Sequence, residues 1–187
     1  MDRTNLIQNL REYGIENTVP NISDVNAQFL VDLMKISHTK TVLEIGTANG
    51  FSAINFGDYL STVGGHITTI DFSPKSFDEA QINFKEAQLD HMITSILGNA
   101  LDEIPKLPEN QFDFVFIDGM MRRSKDFLEL SWSKTKPGGI IIIDDVIKFG
   151  EKMVGLWEFL EENNITYNTL PIDEDDGVMM IIKEGRK

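Results

Sequence analysis

Short runs of apolar, mostly β-branched residues alternate along this chain with stretches in which apolar positions recur every three or four residues. The first pattern suits strands and the second amphipathic helices. Strands are predicted at 41–46, 66–71, 92–97, 112–118 and 139–144, with helices between them at 51–61, 74–89, 123–134 and 150–163. Two more helices are predicted upstream and are separated by Pro20. The first, 2–14, places Leu6, Ile7, Leu10 and Tyr13 on one face. The second, 23–37, has Ser23 as N-cap and an apolar stripe of Phe29, Leu30, Leu33 and Met34.

Near-continuous runs such as Ile140 to Ile143 suit strands covered on both faces, and so a parallel sheet flanked by helices. The C-terminal end reads differently. Ile165 to Ile172 and Val178 to Lys183 are joined only by Asp173-Glu-Asp-Asp-Gly177, which leaves no room for a crossover helix and predicts an antiparallel hairpin. With no internal repeat and no low-complexity linker, the 187 residues read as one α/β domain: a helical cap over 1–38 and a core over 39–187. Ile104-Pro-Lys-Leu-Pro-Glu-Asn110 reads as a loop within it.

Charge narrows the function classes. Seventeen Lys and Arg against thirty Asp and Glu give a net charge of −13, which disfavours nonspecific attraction to phosphate backbones or anionic membranes. Met120-Met-Arg-Arg-Ser-Lys125 is the one dense basic cluster in mid-chain. The absence of cysteine excludes a disulfide framework and a thiolate nucleophile or metal site. No apolar run approaches the roughly 20 residues that span a bilayer, and the N-terminus lacks a signal-peptide apolar region. A cytoplasmic location with no membrane partner is the expectation.

The candidate chemistry starts at Thr41-Val-Leu-Glu-Ile-Gly-Thr-Ala-Asn-Gly-Phe-Ser52, a strand, a glycine turn and a helix start. Such a unit brings backbone N–H groups and a helix N-terminus up to a polar ligand. A dinucleotide fingerprint requires G-x-G-x-x-G. Counting from Gly46, Ala48 and Phe51 occupy the second and third glycine positions, so the fingerprint fails twice. Asp71 ends the second strand, where a carboxylate can accept two ribose hydroxyls; on its own it also reads as a strand-end or N-cap residue. Ser52, taken alone, reads as a first-turn polar residue. Three more acids, Asp118, Asp144 and Asp145, fall at carboxyl ends of strands, where open α/β sheets bind ligands. Consecutive strand residues face opposite ways, so Asp144 and Asp145 can act together only if the strand ends there; a helix cap or a pair with Arg122 or Lys148 is the alternative.

Glu44-x-Gly46-x-x-x-Gly50, followed by Asp71 and by Gly98-Asn-Ala100, resembles motif I and its companions in class I S-adenosylmethionine-dependent methyltransferases. Leu43-Glu-Ile-Gly-Thr-Ala-Asn-Gly-Phe-Ser-Ala53 is more narrowly similar to the catechol and caffeoyl-CoA O-methyltransferase group. That resemblance covers roughly residues 19–183. It implies a Rossmann-like fold with a seven-stranded, mostly parallel sheet, and homodimers are common among relatives. It implies that Glu44, Gly46, Gly50, Ser52, Asp71, Phe72, Asn99, Ala100 and Asp118 hold S-adenosylmethionine. It further implies that Asp118, Asp144 and Asp145 hold Mg²⁺ or Mn²⁺, with Asp118 and Arg122 in catalytic positions. A hard cation on two substrate oxygens lowers a hydroxyl pKa and orients the attacking oxygen. Two departures stand out: the group's Asp-Asn pair is Asp144-Asp145 here, and its usual lysine is Met121.

The expected function is therefore cation-assisted O-methylation of a small hydroxylated or catechol-like acceptor. Three rivals remain: a tRNA 5-hydroxyuridine methyltransferase, a non-catalytic S-adenosylmethionine-binding protein, and a nicotinamide oxidoreductase. The first would use Arg122, Arg123 and Lys125 on RNA, and the acidic balance argues against it.

Overall fold

Strand parity decides which helices each side of the sheet meets. In a computed structural model describing residues 3–174 and 176–184, seven strands form one sheet in the order β3-β2-β1-β4-β5-β7-β6. They are β1 (Thr41–Ile45), β2 (His66–Asp71), β3 (Ile93–Leu97), β4 (Phe112–Ile117), β5 (Thr135–Ile143), β6 (Asn168–Pro171) and β7 (Gly177–Ile182). Neighbours from β3 to β5 are parallel, while β7 is antiparallel to both β5 and β6. Helices α1 (Thr4–Asn17), α2 (Asp24–Ile36), α3 (Phe51–Val63) and α4 (Pro74–Glu86) precede β3. The short α5 (Ala100–Glu103), α6 (Ser124–Trp132) and α7 (Val154–Glu162) follow it.

Because alternate strand residues face opposite ways, two apolar cores form. Val42, Ile67, Phe114, Phe116, Ile140 and Ile142 join Leu30, Met34, Phe51, Phe56 and Phe84 from the helices preceding β3. Leu43, Ile45, Val115, Ile117, Ile141 and Ile143 join Phe127, Leu128, Leu156 and Leu160 on the other face. Phe56 lies edge-on to both Phe114 and Phe116, at centroid distances of 6.5 and 5.6 Å. The unbroken Ile140–Ile143 run is what a strand serving two cores requires.

The predicted order and type of the major elements hold, and the differences lie at their ends. The first helix runs on to Asn17 rather than stopping at 14, and Tyr13 lies largely exposed although it was expected on the apolar face. Strand β5 begins at Thr135, four residues early, because Thr135 pairs with Phe112 before a register shift resumes at Phe114–Ile140. Residues 165–167 are not strand: the Ile165 N–H closes α7 on Leu160 O, and pairing starts at Asn168. The helix expected over 150–163 is split into a 3₁₀ turn and α7, and that over 123–134 shrinks to Ser124–Trp132. Ile104–Lys106, read as loop, is a 3₁₀ turn. Ser23 caps α2 as expected, accepting from Asn26 N. Met1, Asp2, Asp175 and residues 185–187 lie outside the described residues.

Candidate active site

Four backbone hydrogen bonds align the strand ends. Gly98 N donates to Asp71 O, Gly46 N to Ile70 O, Asp118 N to Ile45 O and Asp144 N to Ile117 O, at 2.9–3.0 Å. Each bond extends a parallel ladder by one residue past a strand end. Residues twenty or more apart in sequence thereby share one rim. A cavity of about 950 Å³ opens there.

The glycine turn is built for close approach. Gly46 has φ +103°, and a Cβ on it would fall against the carbonyl of Asp118, whose carbon would be 2.8 Å away. Gly50, at φ +89°, caps α3 and packs against the Phe84 ring. Between them, Thr47 N and Ala48 N donate to Asp71 Oδ2 at 3.0 and 2.9 Å, while Ser73 N donates to Oδ1 at 2.8 Å. Asp71 thus holds the turn's shape and still has lone pairs for a ligand. Asp71→Ala, which strands two turn N–H groups, is expected to cost about 2–3 kcal/mol in denaturant unfolding. Asp71→Asn, which keeps an acceptor on Thr47 and Ala48, is expected to cost less.

Beneath the turn, Glu44 is fully buried. Ser52 Oγ and Thr69 Oγ1 each donate to it at 2.5 Å, and Thr69 also contacts Thr47 Oγ1 at 2.6 Å. Burial pushes its carboxyl up to about 7, with the two hydroxyl bonds working against that rise and the Asp71 charge adding to it.

Carboxylates crowd the opposite side of the cavity. The strand ends at Ile143, so Asp144 and Asp145 both lie past it, and Asp145 adopts φ +62°. Asp144 Oδ1 accepts from the buried Asn26 Nδ2 of α2 at 3.0 Å. Burial, and then the charges of Asp144, Asp145, Glu44 and Asp176, raise Asp118 well above the ordinary carboxylate range. Burial is also the main cause that lifts Asp144 to about 6 and Asp145 to about 7. Asp176, by contrast, is lowered: its contact with Asp145 and the N–H groups of Gly177, Lys148 and Ile147 outweigh burial. Asp176 Oδ2 is buried with no hydrogen-bond partner among the described residues.

Of the residues singled out in the sequence, Gly46, Ser52, Asp71, Phe72, Asn99, Ala100, Asp118 and Asp145 line the cavity. Phe72 is 68% exposed there, an apolar ring with no core to fill. Asn99 Oδ1 caps α5 by accepting from Leu101 N, which leaves its amide N–H₂ as the free end. Glu44, Gly50 and Asp144 stand behind the lining. Arg122 is exposed and outside it, whereas Arg123 lines it while paired with Asp126 at 3.1 Å. Three polar residues were missed. Asn49 lines the cavity with a buried Nδ2 that has no partner among the described residues, Asn26 holds Asp144, and Asp176 holds Asp145. Asn49 sits inside the glycine motif and was legible there; the other two depend on tertiary contact. The loop 17–22 between α1 and α2 roofs the cavity. His38, His66 and His91 flank the amino ends of strands, away from the rim, as expected.

As placed, the acids do not form a metal cage. Among the described residues no three His, Cys, Asp or Glu side chains are grouped to hold one ion. Asp144 is turned to Asn26 and Asp145 to Asp176. Among the described residues no helix is long and apolar enough to cross a membrane.

The chain is similar to several O-methyltransferases. A catechol O-methyltransferase from Mycobacterium tuberculosis is 30% identical over 129 residues, covering 69% of this chain and 58% of the relative. A catechol O-methyltransferase from Niastella koreensis is 30% identical over 133 residues, covering 70% and 60%. The chain thus spans about 60% of the length of these curated relatives. The crystal structure of an O-methyltransferase from Bacillus cereus in complex with SAH superposes with a TM-score of 0.81 at 26% identity, covering 95% of this chain and 90% of that one. The model of the O-methyltransferase family matches residues 1–169. With that match over most of its length, and with the glycine turn and rim in place, the chain belongs to the O-methyltransferase family.

Proposed function

We propose that the protein transfers a methyl group from S-adenosylmethionine to a hydroxyl oxygen of a small acceptor. The observation that carries this reading is one cavity joining the glycine turn, Asp71, Phe72 and Asn99 to the rim carboxyl of Asp118, in a chain of this family. The residues fit the cofactor. Asp71 offers lone pairs to ribose hydroxyls, Phe72 an exposed ring for adenine, and Asn99 an amide for the base edge. The volume suits a nucleoside-sized cofactor with a small acceptor beside it.

When bound, the cofactor supplies an electrophilic methyl group on a sulfonium. The protein's part is to place and deprotonate the oxygen that attacks it. Asp118, raised in pKa by burial and by its acidic neighbours, is a stronger base than an ordinary carboxylate and accepts the acceptor's hydroxyl proton. The loop 17–22, with Met120 and Met121, closes an apolar wall over the acceptor and excludes water. Arg123, exposed on the cavity wall and paired with Asp126, is the nearer of the two arginines to the acceptor side, since Arg122 does not line the cavity.

A divalent cation, Mg²⁺ or Mn²⁺, is the finer reading. The concentration of carboxylates around Asp118 supports it, and the lack of a three-ligand group among the described residues stands against it. An RNA acceptor has less support, since Arg123 pairs with Asp126 and Lys125 with Glu129 at 2.6 Å. Cytoplasmic location and homodimer formation are carried as expectations of the same reading.

The test is transfer of labelled methyl from S-adenosylmethionine to a panel of catechols, phenols and a tRNA transcript, each with and without Mg²⁺. Label on a small hydroxylated acceptor is the expected result. Label on the tRNA alone, or on nothing while the cofactor binds, would reject the proposal in favour of the other readings.

A further inference from the structure

Ser52 lines the cavity in the first turn of α3, and while Glu44 is ionised the Ser52 hydroxyl proton is committed inward. It donates to Glu44 Oε1, and Thr69 donates to Oε2. Because the only proton of Thr69 goes to Glu44, Thr47 must be the donor in the Thr47–Thr69 contact. With Glu44 ionised, all three hydroxyl protons therefore point toward it. The Ser52 hydroxyl then turns lone pairs to the cavity and has no proton to donate to an anion there; only backbone N–H groups of the first turn can do so.

We propose that seating the cofactor's amino-acid carboxylate on Ser52 draws one proton from solvent onto Glu44, so that Glu44 is a positioning residue controlling whether Ser52 can donate. The inference rests on the S-adenosylmethionine reading of the cavity, with the anionic end of the cofactor at the N-terminus of α3, where Ser52 lines the wall. With Glu44 protonated, its Oε1–H donates to Ser52 Oγ, and the Ser52 proton turns outward to the ligand. Thr69 still donates to Oε2, so no hydroxyl loses a partner. One proton enters and stays on Glu44; no bond to carbon changes.

The surroundings favour this uptake. On β2 Glu44 faces Thr69, with Asp71 at the strand end; on β4 its register neighbour is Phe116, with Asp118 beyond. On α3 it meets the Ser52 hydroxyl. Both nearby charges, Asp71 and Asp118, are acids that disfavour a negative Glu44. From the cap, Arg11 lies over the Phe51 ring and 3.7 Å from Asp24. Full burial has already lifted the carboxyl to about 7, so the proton is within reach near neutrality.

The test is calorimetric titration of the full chain with S-adenosylhomocysteine, in buffers of different ionisation enthalpy, from about pH 6 to about pH 8.5. At about pH 8 the wild type is expected to take up close to one proton per ligand, with affinity falling up to tenfold per pH unit above about 7. Uptake should fade toward about pH 6, where free Glu44 is already protonated. Glu44→Gln is expected to bind without this uptake, and Ser52→Ala, which has no hydroxyl to release, likewise. The ligand's own amine titrates equally in all three proteins and cancels in the comparison. Equal uptake in wild type and both variants, or wild-type binding at about pH 8 with none, would overturn the inference. No binding by the wild type at any pH would instead overturn the functional reading beneath it.

Discussion

Gly46→Ala is expected to abolish cofactor binding and to destabilise the protein by about 3–5 kcal/mol, as read by denaturant unfolding and by titration with S-adenosylhomocysteine. Two independent costs combine at this position. The backbone at φ +103° lies where an L side chain is strained, and the added methyl would press on the Asp118 carbonyl. That carbonyl belongs to backbone rather than to a flexible side chain, so relief requires moving the end of β4 and Asp118 with it. Gly138→Ala is the control: its φ is +80°, but nothing lies near its Cα in the direction of a Cβ. It should show the conformational penalty alone, about 1 kcal/mol, with cofactor binding intact. Equal losses for the two variants would remove the claim that close approach at Gly46 builds the site.

Asp118→Asn should lower methyl transfer by about 10²–10⁴-fold, the usual range for removing a general base, while making the protein more stable. The opposite signs follow from the same charges. Asp118, Asp144 and Asp145 are all raised above the ordinary 3.8. Between about pH 4 and about pH 7 the folded state therefore binds more protons than the unfolded state. Stability supplied by these groups is present at the acidic end and is lost as pH rises through the folded values of about 6 and 7. An amide at 118 removes one like charge, which should raise the melting temperature by about 2–4 °C at alkaline pH and by little near pH 4. If Mg²⁺ or Mn²⁺ binds this rim, either ion should stabilise the wild type at alkaline pH and do much less for Asp118→Asn. A melting temperature indifferent to both ions would remove the cation from the account. Falling stability in Asp118→Asn at alkaline pH would show that the rim charges do not oppose folding as described.

Much of the architecture was legible because one physical device repeats. The runs of β1, β3, β4 and β5 each give way to a Gly or Asp, and that residue donates one more ladder bond to its neighbour, as Gly46, Gly98, Asp118 and Asp144 do. Spacing thus located the rim residues before any contact was known. Less legible were features that depend on chain packing. The early start of β5 at Thr135 comes from pairing with Phe112 across a register shift, through a Lys-Pro-Gly-Gly stretch that carries no strand pattern. Asn26, a polar residue early in α2, gives no sign in sequence that it will be buried against Asp144. The Asp145–Asp176 contact joins a rim residue to a hairpin turn that reads simply as a solvated acidic loop. Arg122 and Arg123 are neighbours in a basic cluster, and only the 3₁₀ turn at Met121–Arg123 decides which of them reaches the cavity. Helical phase cannot be resolved from so short a segment.

The most direct measurement of the central claim is a crystal structure of the protein with S-adenosylhomocysteine. The account predicts adenine between Phe72 and Asn99, ribose hydroxyls on Asp71, and the amino-acid end along Gly46 to Ser52, with the sulfur facing Asp118. A ligand bound with its ribose away from Asp71, or seated outside the cavity bounded by Gly46, Asp71 and Asp118, would contradict it.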